Sequence, residues 1–466
     1  MSKSSDICPK AASLYFLPVQ TRVPLKFGTE VTTFVTVARV SLLVETRSGQ
    51  VAKGWGETPL SVQWVWPQVG NFEGRHEALK EFCIRLVRSW TQFDYMGDPI
   101  DLGITFQEQV LGPLYREFNA ERDQADQMPW LAALVCCSVF DIAIHDAFGR
   151  AAALPVYETY CSDFLNRPLS DYLESRSEDS FSDLYPSDFL VKEPAKTLPA
   201  WHLVGGLDPL DRSELGGNEP DDGYPVILED WIERDGLICL KIKLRGNDAE
   251  WDMDRLVKIG RIAIDKGVVW LTADFNCTVT APEYVNEILD RLRDSEPRIY
   301  GMLLYVEQPF PYDLEANPID VHSVSSRKPL FLDESAHDWR VVRRGQELGW
   351  TGVALKTCKT QSGALLSACW AKAHGMTLMV QDLTNPMLAQ VPHVLLAANM
   401  GTIMGVETNA MQFYPDASLP EEKIHPGLYR RRAGQVDLST IAGAGFGYRE
   451  DEISRALPDP AAADES

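Results

Sequence analysis

Leu240-Lys241-Ile242-Lys243-Leu244 opens the stretch whose reading decides the fold, and Val353-Ala354-Leu355-Lys356 closes it. Between them three carboxylate signals follow in order: Asp274-Phe275-Asn276, Glu307-Gln308-Pro309 and Asp333-Glu334-Ser335. Each ends a short apolar run, Val268 to Ala273, Met302 to Val306 and Pro329 to Leu332. Such runs predict buried strands, and the periodic segments between them predict helices. A parallel β/α array puts every strand's C-terminal end on one face. Two strands therefore deliver lysines and three deliver carboxylates to one cavity, the place where barrel enzymes keep their chemistry.

Outward from this stretch the strand-then-helix rhythm runs from Trp201 to Val406 and predicts about eight strands. Their spacing is roughly the 30 residues per unit of a (β/α)₈ barrel. The segment before it reads differently. Phe34 to Glu45 is β-rich, Arg47 to Gln50 is a turn, and Val51 to Glu57 returns as a hairpin partner. Phe72 to Ser89 and Trp130 to Arg150 then read as helices. Strands first and helices after is an α+β order. The expected organisation is an α+β domain at 1–159, an insertion or linker at 160–199, a catalytic barrel at 200–415, and a polar, Gly-rich segment at 416–466 that returns to the first domain. The insertion is rich in Ser, Asp, Glu and Pro and is a candidate cover for the site.

A chain of 466 residues with 45% hydrophobic content supports two packed domains. Its formal charge of −23 argues against nucleic acid and against an anionic membrane surface. Met1 to Lys10 lacks a signal-peptide pattern, and no apolar run is read as long enough to span a membrane. Nine scattered cysteines without a Cys-x-x-Cys pair fit buried free thiols in a reducing cytosol, so a cytoplasmic location is expected.

Three carboxylates on neighbouring strand ends repel one another unless a cation or protons intervene. Oxygen ligands without His or Cys suit one Mg²⁺ ion, and Asp274, Glu307 and Asp333 are the expected ligands. Glu334, next to Asp333, is expected on the opposite strand face as a supporting group. Asn276 shares the face of Asp274 and can bond a ligand or a substrate. Lys241 and Lys243 share one strand face, with Lys356 across the barrel. Buried beside Mg²⁺ and one another, the lysines are expected to have depressed pKa values, giving an amine able to take a proton. Any one of these residues alone is more often a cap or a surface ion pair; their order on successive strand ends is what points to a site.

With these residues in place, the chain resembles the enolase superfamily, and within it the muconate-lactonising-enzyme-like group. The resemblance rests on Lys241-x-Lys243, Asp274-x-Asn276, Glu307-Gln308-Pro309, Asp333-Glu334-Ser335 and the Ala-Leu-Lys at Lys356. Gly54-Trp55-Gly56-Glu57, Phe140 to Asp146 and Gly443 to Gly447 are similar to parts of that family's capping domain. The resemblance implies a modified TIM barrel, (β/α)₇β, with an α+β N-terminal cap completed by the C-terminal segment. It also implies one Mg²⁺ and removal of the proton α to a carboxylate to give a metal-stabilised enolate, the known lysine-plus-magnesium pattern of that superfamily. Lys243 and Lys356 would be the acid/base pair, Lys241 would steady the substrate carboxylate or the enolate, and Glu407 stands where relatives often place a substrate-facing acid. The chain departs from relatives at Gln381-Asp382-Leu383, which carries no His/Asp dyad, and at Glu407-Thr408-Asn409, which is not the Asp-x-Asp of many dipeptide epimerases.

The expected partner is thus a small carboxylate acid, with a homo-oligomeric assembly. A racemase or epimerase is the leading reading. A cycloisomerase or syn-dehydratase uses the same residues, and a barrel glycoside hydrolase or a non-catalytic metal-binding homologue are more remote readings. Specificity is expected from two cap loops, Thr21 to Glu30 and Thr58 to Trp66.

Overall fold

The computed structural model describes residues 3–27, 30–67, 71–174 and 181–465. Three long strands, β1 (Ile7–Phe27), β2 (Glu30–Thr46) and β3 (Val51–Leu60), form an antiparallel meander. Gly49 takes a positive φ of 84° in the Arg47–Gln50 turn, and Glu45 then pairs with Val51. The sheet lies on the helix Trp130–Ala152. It packs so closely that a Cβ at Gly54 would stand 2.2 Å from the Ala143 carbonyl oxygen, and one at Gly56 would stand 1.9 Å from that of Val139. This explains the Gly-x-Gly spacing on β3. The helix corrects the sequence reading on membranes: it is long and apolar enough to span one, but its most apolar window is entirely buried between sheet and barrel.

Eight parallel strands follow: β4 (Thr197–Val204), β5 (Cys239–Lys243), β6 (Trp270–Asp274), β7 (Leu303–Glu307), β8 (Leu330–Leu332), β9 (Gly352–Leu355), β10 (Thr377–Val380) and β11 (Val406–Glu407). They pair in chain order from β4 to β10, and β11 lies beside β4. On the β10 side, Ile403, in the turn before β11, donates its N–H to the Leu378 carbonyl at 2.8 Å. Seven strands lead into helices or helical turns that pack outside. The last leads only into the turn Ala410–Phe413, which makes the architecture (β/α)₇β. Strand limits read from the sequence shift by a few residues. The helix before β5 spans Leu228–Asp235.

Inside the barrel, Trp201, Cys239, Tyr305, Phe331 and Met379 fill the floor, with Tyr305 and Phe331 stacked at 4.2 Å. Gly352 makes room for them, because a Cβ there would meet Phe331 at 2.2 Å. Above that apolar floor, side chains at the strand C-termini form a polar layer.

Chain segments beyond the barrel tie it to the meander. The strand β12 (Gln435–Asp437) pairs with β4, and β13 (Ala462–Glu465) pairs antiparallel with β1. A buried seam joins the two halves. Arg39 of β2 contacts Glu57 of β3 and Glu421 at 3.2 Å, Arg455 holds Glu421, and the Ala389 amide donates to Glu57 at 3.3 Å. The 160–199 segment is built of short turns whose Leu165, Leu169, Leu173 and Phe181 are buried against the barrel. Its residues 181–191 bond the C-terminal ends of barrel helices, through Lys372 to the Phe189 carbonyl and Val191 N–H to the Asn399 carbonyl. Those ends lie opposite the strand C-termini, so this part does not cover the site as the sequence suggested; residues 175–180 lie outside the described residues. All nine cysteines are free, seven of them buried.

Candidate active site

Strand register aligns the site. Lys243 pairs with Asp274, Asp274 with Glu307, and Glu307 with Phe331, two residues before Asp333. Three adjacent strands therefore end at one level, each on a charged side chain. Asp274 and Glu307 are fully buried and Asp333 is 2% exposed. Lys241 points up from one layer deeper, two residues before Lys243 on the same face.

Lys241 is the hub. Its Nζ lies 2.7 Å from Glu307, 3.1 Å from Asp274 and 3.2 Å from Glu407, and it donates to the Gln381 amide oxygen at 3.2 Å. Lys243 Nζ bonds Asp274 at 2.5 Å. On the other flank Lys356 Nζ lies 3.2 Å from Asp333, with Lys359 at 3.4 Å from the other oxygen of the same carboxylate. Glu407 also accepts from Asn409 Nδ2 at 2.6 Å. All eight residues predicted for the site thus lie in or beside one cluster.

Asn276 and Glu334 differ from the simple alternation read in the sequence. Asn276 lies beyond the end of β6 with φ +48°, and its amide N–H donates to Asp274 Oδ1 at 2.9 Å. Its side chain turns to Glu334 Oε1 at 3.4 Å. Glu334 lies beyond β8, where the two-residue period no longer applies, and it leans toward the other acids instead of away. Its Oε1 also accepts from Trp64 Nε1 at 3.0 Å, and its Oε2 is buried without a protein partner.

Four contributors were not singled out by sequence reasoning. Gln308 accepts from the Asp333 amide at 2.8 Å and donates to Ser335 Oγ at 2.9 Å, so the Glu-Gln-Pro motif fixes the Asp-Glu-Ser turn beside it. Gln381 links Lys241, Glu307 and Tyr305. Lys359 is a fourth buried amine. Trp64, in the predicted Thr58–Trp66 loop, comes down from the meander with its ring 5.2 Å from Lys356 Nζ and 5.7 Å from Lys359 Nζ.

The electrostatics follow from how closely the acids and amines approach one another. Burial acts to lower Lys241, but Glu307, Glu407 and Asp274 outweigh it and hold its pKa well above the usual lysine range. Lys356 is likewise raised, with Asp333 outweighing burial. Lys359 is lowered, by burial. The amines meet the acids directly, Lys241 and Lys243 at Asp274 and Lys356 at Asp333. Burial would raise Asp274 and Asp333, yet Lys243 and Lys241 hold the first, and Lys356 and Lys359 the second, below the usual carboxylate range. Burial and Asp274 push Glu307 well above it, and burial with Asp333 pushes Glu334 up to about 7.

The donor set fits a divalent cation. Six buried carboxylates (Asp274, Glu307, Asp333, Glu334, Asp382 and Glu407) meet four buried ammonium groups (Lys241, Lys243, Lys356 and Lys359), which leaves a formal deficit of two positive charges. The donors are all oxygen, and Glu334 Oε2 has no protein partner. Among the described residues, a tighter group of ligand-type atoms, within 4.8 Å of one another, is Glu73, His76 and Glu77 on the helix Phe72–Thr91, two of them exposed. In the barrel the ammonium groups stand between the acids.

Residues 227–452 match the family model described as "Enolase C-terminal domain-like". No curated protein matches the chain by sequence. Among solved structures, the chain is similar to a muconate lactonizing enzyme from Mucobacterium smegmatis complexed with muconolactone (15% identity, TM-score 0.61, covering 94% of this chain and 96% of that one). It is similar to an N-succinyl Arg/Lys racemase from Bacillus cereus (15%, TM-score 0.61, covering 98% and 99%). A third is a dipeptide epimerase from Enterococcus faecalis complexed with Mg and a dipeptide (16%, TM-score 0.60, covering 94% and 99%). At these identities the likeness is one of fold, a TIM-type barrel with an N-terminal cap. Residues 227–452 thus carry an enolase C-terminal-domain-like region with the strand-end motifs in order, and over the whole chain the likeness to muconate lactonizing enzymes is one of fold.

Proposed function

We propose that this protein is an isomerase that removes and returns the proton α to the carboxylate of a small acid, as a racemase or epimerase. The single observation that carries the reading is the arrangement of the amines: Lys243 and Lys356 flank one arc of acids from two sides, each bonded to a different one, Asp274 and Asp333. A substrate carboxylate seated over that arc would present opposite faces of its α-carbon to the two amines. One Nζ would take the proton and the other would return it to the opposite face. Lys241, beneath the centre of the arc, would attract the substrate carboxylate as negative charge moves onto its oxygens. Trp64 would cover the lysines and keep water from the exchanging proton.

Asp274, Glu307 and Asp333 would hold one Mg²⁺, whose charge, when bound, favours the enolic form of the acid. A barrel glycoside hydrolase leaves the four buried lysines without a task. A cycloisomerase or syn-dehydratase would use the same amines, and the product separates these readings from racemisation.

The test is α-deuterium uptake in D₂O with Mg²⁺ and single enantiomers of candidate acids. Lys243→Ala is expected to abolish uptake from one enantiomer and Lys356→Ala from the other, each by about 10²–10⁴-fold. Uptake that is absent with every acid, or lost equally from both enantiomers in each variant, would defeat two-sided exchange.

A further inference from the structure

His76, on the helix Phe72–Thr91, is a buried polar group that the barrel chemistry leaves unused. It is 5% exposed, and its Nδ1 is buried with no hydrogen-bond partner. Three contacts fix the ring elsewhere. Nε2 and Thr36 Oγ1, on β2, share a hydrogen bond at 2.8 Å. Phe72, one helical turn earlier, stacks on the ring with centroids 5.7 Å apart, and Phe34 meets it edge-on at 5.6 Å. With Nε2 donating to the Thr36 hydroxyl, Nδ1 presents a lone pair. A buried nitrogen left unpaired costs stability, so a ring held this firmly with Nδ1 idle calls for an occupant on that side.

That side is acidic. Positions 73, 76 and 77 share one helix face, and a ligand-type atom from each of Glu73, His76 and Glu77 lies within 4.8 Å of the others. Glu77 Oε1 stands 3.7 Å from Nδ1, too far for a hydrogen bond. The helix dipole accounts for Glu73 in the first turn, and a surface pair with Lys80 at 2.8 Å accounts for Glu77. Neither accounts for Nδ1. Both glutamates are exposed, so their carboxylates can turn toward an ion in front of the imidazole.

We infer that His76, Glu73 and Glu77 form a metal site on the N-terminal domain, for a transition-metal dication of the Zn²⁺ class. One imidazole nitrogen and two carboxylates, each at about 2.0–2.2 Å, make a three-ligand zinc site whose fourth position faces solvent. The two carboxylates balance the charge of the ion, and Thr36 behind the ring is the outer partner that fixes which nitrogen ligates. Mg²⁺ prefers oxygen donors alone, so the barrel and the helix select different ions. The site is independent of the exchange reaction proposed above.

The experiment titrates ZnCl₂ into untagged full-length protein held in excess Mg²⁺, by isothermal titration calorimetry, on the wild type and on Glu73→Gln/Glu77→Gln. Both glutamates lie on the surface, so the variant should fold, as its melting curve in EDTA would show. The wild type is expected to take up Zn²⁺ despite the Mg²⁺, and the variant to lose one equivalent or bind it at least tenfold more weakly. X-ray absorption of wild type carrying one Zn²⁺ should show an imidazole among oxygen ligands and no sulfur. Absence of Zn²⁺ binding in excess Mg²⁺, or isotherms that coincide for the two proteins, overturns the site. A zinc spectrum with sulfur ligands or without imidazole overturns it as well, by placing the ion elsewhere.

Discussion

Lys241 holds three buried acids at once, and replacing it with methionine measures what the cluster lacks. The ammonium lies within 3.2 Å of Asp274, Glu307 and Glu407. Methionine keeps most of the side-chain length and removes the charge, leaving buried carboxylates without their common partner. Breaking a buried ion pair from one side costs about 3–5 kcal/mol. A chain of 466 residues has an unfolding entropy near 1 kcal/mol per kelvin at its midpoint. The variant should therefore melt roughly 3–5 °C lower in EDTA. For the wild type, Mg²⁺ at a hundred times its Kd contributes about 2.7 kcal/mol, a rise near 3 °C. In Lys241→Met the formal deficit grows from two charges to three, so the Mg²⁺-dependent rise should exceed the wild-type rise. Differential scanning calorimetry with and without Mg²⁺, on both proteins, reads all four midpoints. Equal rises, or none in either protein, would refute the assignment of the cation to this cluster.

His145 is fully buried and its pKa is lowered to about 3 by burial. An unfolded histidine takes a proton near pH 6.5, so this group's stability is fully present above that pH and is lost as pH falls toward 3. Between pH 7 and 5 the wild type should lose about 2 kcal/mol more than His145→Gln, as urea titrations at the two pH values would show; parallel losses would contradict it. Gly56→Ala drives a methyl into the Val139 carbonyl at 1.9 Å, and should lower the urea-derived stability by roughly 1–3 kcal/mol. Trp64→Phe keeps a ring over the lysines but removes the donor to Glu334 Oε1. The expected loss is about 1–3 kcal/mol, read by the same titration, and Trp64→Ala should lose more.

The barrel was legible because its strands are buried on both faces, so each reads as an unbroken apolar run that stops at a charge. Register did the rest: Lys243, Asp274 and Glu307 end their runs at one level, and sequence order alone predicts that. Gln381 and Trp64 were not legible. The first acts across the barrel on Lys241, 140 residues earlier, and only closure brings them together. The second sits in an apolar stretch of the cap, where a tryptophan reads as core. Glu334 was misjudged because alternation was carried past the last strand residue, Leu332.

The Arg39–Glu57–Glu421–Arg455 seam bears on how a reactant gets in. Opening the protein like a clam there would pull the Arg39 guanidinium from Glu421 in a dry place, and each uncoupled charge would cost several kcal/mol. That edge behaves as a weld. Traffic to the lysines would pass instead at the rim, where Trp64, in the helical turn Val62–Val65, is held to the barrel by an indole hydrogen bond to Glu334. Turnover in such a molecule would be throttled by the motion of one side chain and its short loop, while the two domains stay fixed to each other.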